Sequence, residues 1–145
     1  MKGLRVGIAV LLLAVAGMAG AQERRYSEGP VVAVTSVKVM DGQFENYMKF
    51  LDGTYKASME AAKKAGLVLD YGVYNASPRT PQDADLYLVV TYPSMATLDG
   101  LDEKMDPIQA SVTKMDLAQR DEASGKRTVM RTILGTELLR ELKLK

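Results

Sequence analysis

The chain has 145 residues, with 19 Lys and Arg against 18 Asp and Glu, and it contains neither His nor Cys. This balanced charge gives no electrostatic basis for binding nucleic acid, which depends on basic surfaces. Without His or Cys, zinc sites built on imidazole or thiolate, Ser–His and Cys–His nucleophiles, and His- or Cys-ligated haem are excluded. Acid–base chemistry would therefore depend on Asp, Glu, Lys or Tyr.

The amino-terminal segment, residues 1–21, has the pattern of a secretory signal peptide. A basic start (Lys2) precedes the apolar stretch Val6–Ala16, and the small residues Ala19-Gly20-Ala21 are typical of a cleavage site. The apolar run is shorter than the roughly 20 residues that a spanning helix needs. An uncleaved membrane anchor is the alternative interpretation. We expect export to the periplasm or the medium, and a product free of the membrane that begins at Gln22.

The exported part is predicted to be a single domain over residues 31–145, preceded by a polar, flexible lead-in at 22–30. Val31–Val39 is rich in Val, which is typical of a β-strand. Both alternating faces of this segment are mostly apolar. We therefore expect a strand that is covered on both sides.

A long amphipathic helix follows. Asp41 is its predicted N-cap and Gly66 its predicted C-cap. Gly53 lies in its middle, where it marks either a bend or a close packing contact. Apolar side chains recur at three- and four-residue steps and form one stripe: Phe44, Tyr47, Met48, Leu51, Tyr55, Met59 and Ala62.

The next two predicted strands form a hairpin. They are Leu67–Asn75 and Asp85–Tyr92, and the loop between them carries Pro78 and Pro81. The second of these strands is apolar on both faces, like Val31–Val39. We expect antiparallel pairing with a long, exposed tip.

A second helical region begins after Pro93 and extends to about Met115. Because proline is excluded from an undistorted helix interior, Pro107 is predicted to open a separate segment with Asp106 as its N-cap. The charged stretch Gln119–Lys126 is expected to loosen the helical pattern, with a break at Gly125.

The carboxyl-terminal region is predicted to end in a strand over Thr136–Lys145. The preceding segment, Arg127–Leu134, suits either a short helix capped by Gly135 or a strand. The resulting order, β-α-β-β-α-β, predicts an α+β protein with a ferredoxin-like, four-stranded antiparallel sheet. Both helices are expected on one face of this sheet.

The faces of the sheet predict a homodimer. Two helices cover only one face, yet the first and third strands, which are central in this topology, are apolar on both faces. An uncovered apolar face would be a large exposed patch. A second copy related by a two-fold axis is the simplest cover.

Two sequence segments resemble the dimeric α+β barrel superfamily. Val37–Phe44 (VKVMDGQF) leads a strand into the first helix, and Arg131–Leu142 (RTILGTELLREL) runs from a helix end through Gly135 into a strand. The resemblance covers roughly Val31 to Leu144 and implies a homodimeric barrel. The superfamily includes cofactor-independent monooxygenases, haem-degrading enzymes and lactone isomerases. The absence of His and Trp departs from its haem-binding members and from some of its monooxygenases.

Tyrosines are the leading candidates for ligand contacts, because the cleft between sheet and helices holds ligands in such barrels. Tyrosine offers a flat apolar ring and an orienting hydroxyl, although tyrosines also simply pack in strands. Asp70 is either a buried base with a raised pKa or a charge that protects a sheet edge. Arg79, on the hairpin tip, is either an anion contact or part of a solvated loop. The candidate ligand-binding residues are Tyr55, Tyr71, Tyr74, Tyr87, Tyr92, Asp70 and Arg79.

We therefore expect a protein that binds a small apolar or aromatic molecule without a cofactor. The alternative is a cofactor-independent monooxygenase or isomerase acting on a small aromatic or lactone-like substrate. A structural or interaction module is the third possibility. No metal site is expected, because the loop that calcium needs is missing around the acidic cluster. That cluster comprises Asp99, Asp102, Glu103 and Asp106.

Overall fold

The computed structural model describes residues 23–145, so the predicted signal peptide lies outside the described residues. Within them the chain forms one four-stranded antiparallel sheet with the strand order β2-β3-β1-β4. The predicted α+β class is confirmed, and the first and third strands are central as expected. The strands are β1 (Tyr26–Val39), β2 (Asp70–Asn75), β3 (Leu86–Tyr92) and β4 (Arg131–Leu144).

The first strand begins earlier than the sequence predicted. Residues 26–30, expected to be part of a flexible lead-in, belong to β1 and lie beside the end of β4. Tyr26 pairs with Leu144 and Glu28 with Leu142. The segment is ordered because the 14-residue strand β4 offers backbone partners along its whole length, a long-range contact that local sequence does not reveal.

The helices follow in two groups along the chain. A first continuous helical region joins an α-helix, a π-helical segment and a second α-helix, and a second region follows β3. The elements are α1 (Phe44–Phe50), the π-segment (Leu51–Tyr55), α2 (Lys56–Lys64), a 3₁₀ turn (Met95–Leu98), α3 (Leu101–Thr113), α4 (Leu117–Lys126) and a second 3₁₀ turn (Arg127–Val129).

The first helical region lies between two glycines with positive φ, Gly42 and Gly66. The prediction that Asp41 is the N-cap is wrong. Gln43 is the N-cap, and its side chain makes no capping hydrogen bond. The reason is a tight turn in which the Gln43 amide donates to the Met40 carbonyl, leaving Asp41 outside the helix. Gly66 has φ +75°, and the region ends there as predicted. Gly53 lies in the π-segment with open space around it, so it marks an irregular turn and not a close contact.

The second helical region differs from the prediction at Pro107. This proline lies inside α3, so the predicted separate segment capped by Asp106 is wrong. Proline removes one backbone hydrogen bond, but the helix continues because its apolar side chains pack on both sides of the interruption. Leu101, Met105 and Ile108 all join the same core cluster.

The charged stretch before β4 also differs from the prediction. It forms the regular helix α4, and Gly125 lies within it instead of breaking it. The helix is stabilised by a capping box, in which the Asp116 carboxylate accepts from the Gln119 amide and the Gln119 side chain accepts from the Asp116 amide. These hydrogen bonds stabilise the start of α4, a helix whose sequence has no continuous apolar stripe.

The ambiguous segment Arg127–Leu134 divides into a 3₁₀ turn and the start of β4. Gly135 therefore does not cap a helix, and the strand begins before Thr136. Ser36 pairs with Gly135 whereas Val37 pairs with Ile133, which leaves Leu134 as an extra residue in a β-bulge.

The core lies between one face of the sheet and the helices. Two buried clusters form it, and both draw on the same face of the central strands, so the helical regions share that face. One cluster contains Val37, Tyr47, Leu51, Leu86 and Leu88, and the other contains Ala62, Val68 and Met105.

The opposite face of the sheet is less covered. Val34 and its direct partner Val89 lie there and are half-buried, and Leu139 of β4 is 45% exposed. Neither core cluster includes these three side chains. The homodimer predicted from this face stays a prediction.

Candidate functional site

The sheet separates the candidate tyrosines into two groups. Side chains alternate between the two faces of a strand, so Tyr71 and Tyr92 lie on the helix-covered face, near Tyr55. Tyr74 and Tyr87 pair directly across β2 and β3 on the opposite face. The five tyrosines therefore do not form one cleft. The structure brings together Tyr55, Tyr71 and Tyr92, which we take as the candidate site.

Tyr55 lies at the centre of this site, at the end of the π-segment Leu51–Tyr55. Its hydroxyl is buried and has no hydrogen-bond partner among the described residues. Burial, with smaller contributions from Tyr92, Tyr47 and Tyr71, raises the pKa of this hydroxyl to about 12. A buried hydroxyl without a partner costs free energy, and π-helical turns occur frequently at functional sites.

Tyr71 covers Tyr55 at the edge of the sheet. The two rings meet edge to face, with 6.1 Å between centroids. The Tyr71 hydroxyl donates a 2.6 Å hydrogen bond to Glu60 Oε1, and this bond is the main reason that its pKa rises to about 12. Lys63 Nζ lies 5.8 Å from the centre of the Tyr71 ring. Tyr92 completes the group from β3, and burial raises the pKa of its hydroxyl.

The tyrosines of the other face have separate surroundings. The Tyr74 ring lies over Gly72, where an added Cβ would come within 2.8 Å of it, and the side chain is largely exposed. Tyr87 borders an open cavity of about 420 Å³ together with Ser36 and Glu137. These residues belong to the surface that the predicted dimer would cover.

Asp70 begins the edge strand β2 and is exposed. Its carboxylate lies 3.2 Å from Lys63 Nζ. The hydrogen bond from Lys63 lowers the pKa of Asp70, helped by the Tyr71 amide. A buried base would have a raised pKa, so that alternative is wrong and the sheet-edge interpretation fits the geometry.

Arg79 lies at the opposite end of β2, in the hairpin tip. Its backbone amide donates to the Asp83 carboxylate at 3.0 Å, and the Thr80 amide donates to the same oxygen at 2.8 Å. These bonds fold the tip into a compact turn. Because this turn follows the far end of β2 from Asp70, Arg79 is not part of the group around Tyr55.

The sequence analysis missed an aromatic and basic group beside the candidate site. Arg131 is buried at the start of β4, near Tyr47. Burial raises the pKa of Tyr47, and the charge and hydrogen bond of Arg131 partly oppose this rise. Arg127 lies over the Phe50 ring, with 4.4 Å between its guanidinium carbon and the ring centre. The available signal was a basic residue, Arg131, interrupting an otherwise apolar segment.

The acidic cluster lies around the start of α3. Asp106 forms an ion pair with Arg120, with 2.9 Å between Oδ1 and Nη2. This ion pair connects α4 to α3. Among residues 23–145, no three His, Cys, Asp or Glu side chains are grouped so that they could hold a metal ion. None of the helices in this part of the chain is long and apolar enough to cross a bilayer.

Comparison with known proteins supports the fold alone. No protein-family model and no curated protein matches the sequence. The structure is similar to the crystal structure of HapK from Hahella chejuensis, with a TM-score of 0.51 and 11% sequence identity. The similarity covers 77% of this chain and 91% of that chain. The shared feature is an α+β architecture.

Proposed function

We propose that this chain is an exported, homodimeric protein of the dimeric α+β barrel type that binds a small aromatic molecule at Tyr55. The observation that carries the ligand proposal is the buried Tyr55 hydroxyl, which lies within a group of tyrosine rings and has no partner among residues 23–145. A ligand with one hydrogen-bonding group on an aromatic ring would satisfy this hydroxyl and pack against the rings. Tyr71, which lies directly against Tyr55, belongs to the edge strand β2.

The strand order supports the barrel part of the proposal. The strand order β4-β1-β3-β2, with both core clusters on one face of the sheet, supports a ferredoxin-like domain. The partly exposed apolar pair Val34 and Val89 supports pairing through the opposite face. The basic, apolar and small-residue pattern of residues 1–21 supports export.

Binding is better supported than acid–base catalysis. A monooxygenase or isomerase using these tyrosines would need a hydroxyl whose pKa lies near the working pH. Both Tyr55 and Tyr71 have pKa values of about 12. At neutral pH their hydroxyls therefore remain protonated and act as hydrogen-bond partners.

A thermal-shift titration tests the ligand. Phenol and indole are the probes, and cyclohexanol is the non-aromatic control. We expect a saturable rise in melting temperature with at least one aromatic probe, which Tyr55→Phe abolishes and Tyr74→Phe, a change on the opposite face, retains. If neither aromatic probe stabilises the protein, or if Tyr55→Phe responds like the parent, the proposal fails.

Light scattering coupled to size-exclusion chromatography tests the assembly. We expect a dimer for the parent protein and a monomer for Val34→Lys, since a buried interface excludes an unpaired charge. Ala57→Lys places the same charge on an exposed helix position and should leave the dimer intact. A monomeric parent would overturn the dimer proposal. Amino-terminal sequencing of the exported protein should begin at Gln22.

A further inference from the structure

The last strand, β4, is exposed along almost its whole length. Arg131 is buried at its start, and every later residue of the strand lies at the surface. The exposed side chains include six large aliphatic residues, each with 45% or more of its surface accessible: Ile133, Leu134, Leu138, Leu139, Leu142 and Leu144. Apolar side chains that are exposed together mark an interaction surface.

The outer edge of β4 is also unpaired. β4 ends the strand order β2-β3-β1-β4, so no strand of residues 23–145 bonds to the side that faces away from β1. β4 has 14 residues and no proline, whereas β2, at the other edge, has six residues. Short edge strands and prolines are two ways in which proteins prevent an edge from pairing with another chain. The end of β4 is held in place, because the Lys145 amide donates to the Arg25 carbonyl at 3.0 Å.

The exposed side chains of β4 are arranged symmetrically about Arg140. Glu137 and Lys143 take part in none of the ion pairs formed by residues 23–145. Because side chains alternate along a strand, both lie on the same face of β4, and Leu138 and Leu142 lie on the other. Arg140 is the midpoint of the charged pair and of the leucine pair. A strand with this pattern is complementary to an antiparallel copy of itself.

We propose that the outer edge of β4 pairs with β4 of a second copy of this chain, antiparallel and centred on Arg140. A two-fold axis at this residue places Glu137 opposite Lys143 of the second copy, and the reverse pair forms by symmetry. It likewise places Leu138 opposite Leu142 of the second copy. Residues directly opposite each other in an antiparallel pair lie on the same face, and opposite charges and apolar pairs there stabilise the sheet.

The regular part of β4 has the same centre. It extends from Gly135, which follows the bulge at Leu134, to Lys145, so Arg140 is its middle residue. Pairing centred there uses the whole of this span. The two Arg140 side chains meet at the axis, but each already has a counter-charge, since Nη1 lies 3.0 Å from Oε2 of Glu28.

Neighbouring registers are less favourable. A centre one residue earlier places Glu141 opposite Glu137 of the second copy, and a centre one residue later places Glu141 opposite its own copy. Like charges directly opposite each other destabilise a sheet. A centre at Leu142 aligns Glu141 with Lys143 but pairs only residues 139–145. The register at Arg140 therefore combines the longest overlap with two opposite-charge pairs.

This inference goes beyond the proposed function, because the edge of β4 is distinct from the face around Val34 and Val89 through which the proposed dimer pairs. A contact limited to one strand pair is small beside the roughly 1,600 Å² of a stable interface. We therefore expect the edge to join two dimers only as the protein concentration rises, whereas the dimer itself is present in dilute solution.

Sedimentation equilibrium of the purified protein, from micromolar to millimolar concentration, tests the pairing. We expect the mass of the parent to double as the concentration rises. Glu137→Lys and Lys143→Glu should each weaken this step by about tenfold, because each places like charges opposite each other at two symmetric positions. The double variant exchanges the two charges and should restore the association. Glu141→Lys, which faces Leu139 of the second copy, is the matched control and should associate like the parent.

The outcomes separate this interface from the proposed dimer. A parent that stays a dimer at every concentration overturns the edge pairing and leaves the dimer through the opposite face intact. A parent that passes from monomer to dimer, and that Glu137→Lys weakens, supports the edge pairing and overturns the dimer through the opposite face. A double variant that remains as weak as the single variants overturns the pairing of Glu137 with Lys143. Weakening by Glu141→Lys together with parent-like association of Glu137→Lys overturns the register at Arg140.

Discussion

Removing the Tyr55 hydroxyl should stabilise the protein. The Tyr55→Phe substitution keeps the ring, its packing and its contact with Tyr71, but deletes a buried oxygen that has no partner among the described residues. Leaving such a group unsatisfied costs about 1–3 kcal/mol. Taking the lower end, we expect the free energy of unfolding to rise by ~1 kcal/mol. For a domain of this size that corresponds to a melting temperature about 4 °C higher.

The measurement is urea unfolding followed by circular dichroism, together with calorimetric melting. Tyr74→Phe is the matched control, because its side chain is 58% exposed and its change should stay within about 0.5 kcal/mol. Titration of unfolding against alkaline pH adds a second readout. The folded pKa of about 12 exceeds the ordinary value of 10.0, so the unfolded chain ionises first, and the protein loses stability as pH rises from 10 towards 12.

Tyr55→Phe should therefore lose less stability than the parent between pH 10 and pH 12. Tyr71 shares the same shift, so part of the alkaline loss should remain in the variant. A destabilisation of more than about 1 kcal/mol in Tyr55→Phe would show that the hydroxyl makes strong bonds in the folded protein. That result would remove the basis of the ligand proposal.

Three further predictions address the framework. Leu86→Ala should lower the free energy of unfolding by about 2–5 kcal/mol in urea, because Leu86 is 1% exposed, whereas Leu142→Ala, at a position 51% exposed, should change it far less. Asp116→Ala removes the cap of α4 and should cost about 0.5–2 kcal/mol, seen as faster hydrogen exchange in that helix while other amides are unchanged. Burial raises the pKa of Asp85, but hydrogen bonds from Lys38 and Val39 outweigh it and leave the pKa lowered. Stability from this group is present above its ordinary pKa and lost as pH falls below about 4, so Asp85→Asn should show a shallower acid dependence; an unchanged dependence would contradict this assignment.

The strands and the first helix were predictable because their signals are local. Val31–Val39 and Asp85–Tyr92 each carry enough apolar residues to mark a central strand, and Gly66 ends the first helical region at φ +75°. Pro107 misled the prediction, since the cost of a proline in a helix is local whereas the packing of Met105 that offsets it is tertiary.

The candidate site was predictable only in part. The sequence proposed Tyr55, Tyr71 and Tyr92 as candidate ligand contacts, and these lie together in the fold, but it assigned Tyr74 and Tyr87 to the same cleft. The alternation of side chains along β2 and β3 already implied that adjacent positions point to opposite faces. It was the pairing register of the two strands that determined which tyrosines share a face.

The sequence by itself determined the order of the elements, the two-sided apolar character of the central strands and the absence of His and Cys chemistry. These properties depend on residue identity and short-range spacing. The tertiary structure alone decided three other features: the extension of β1 to Tyr26, the burial of the Tyr55 hydroxyl, and the burial of Arg131 at the start of β4. Each depends on which distant segments meet, and only the folded chain brings them together.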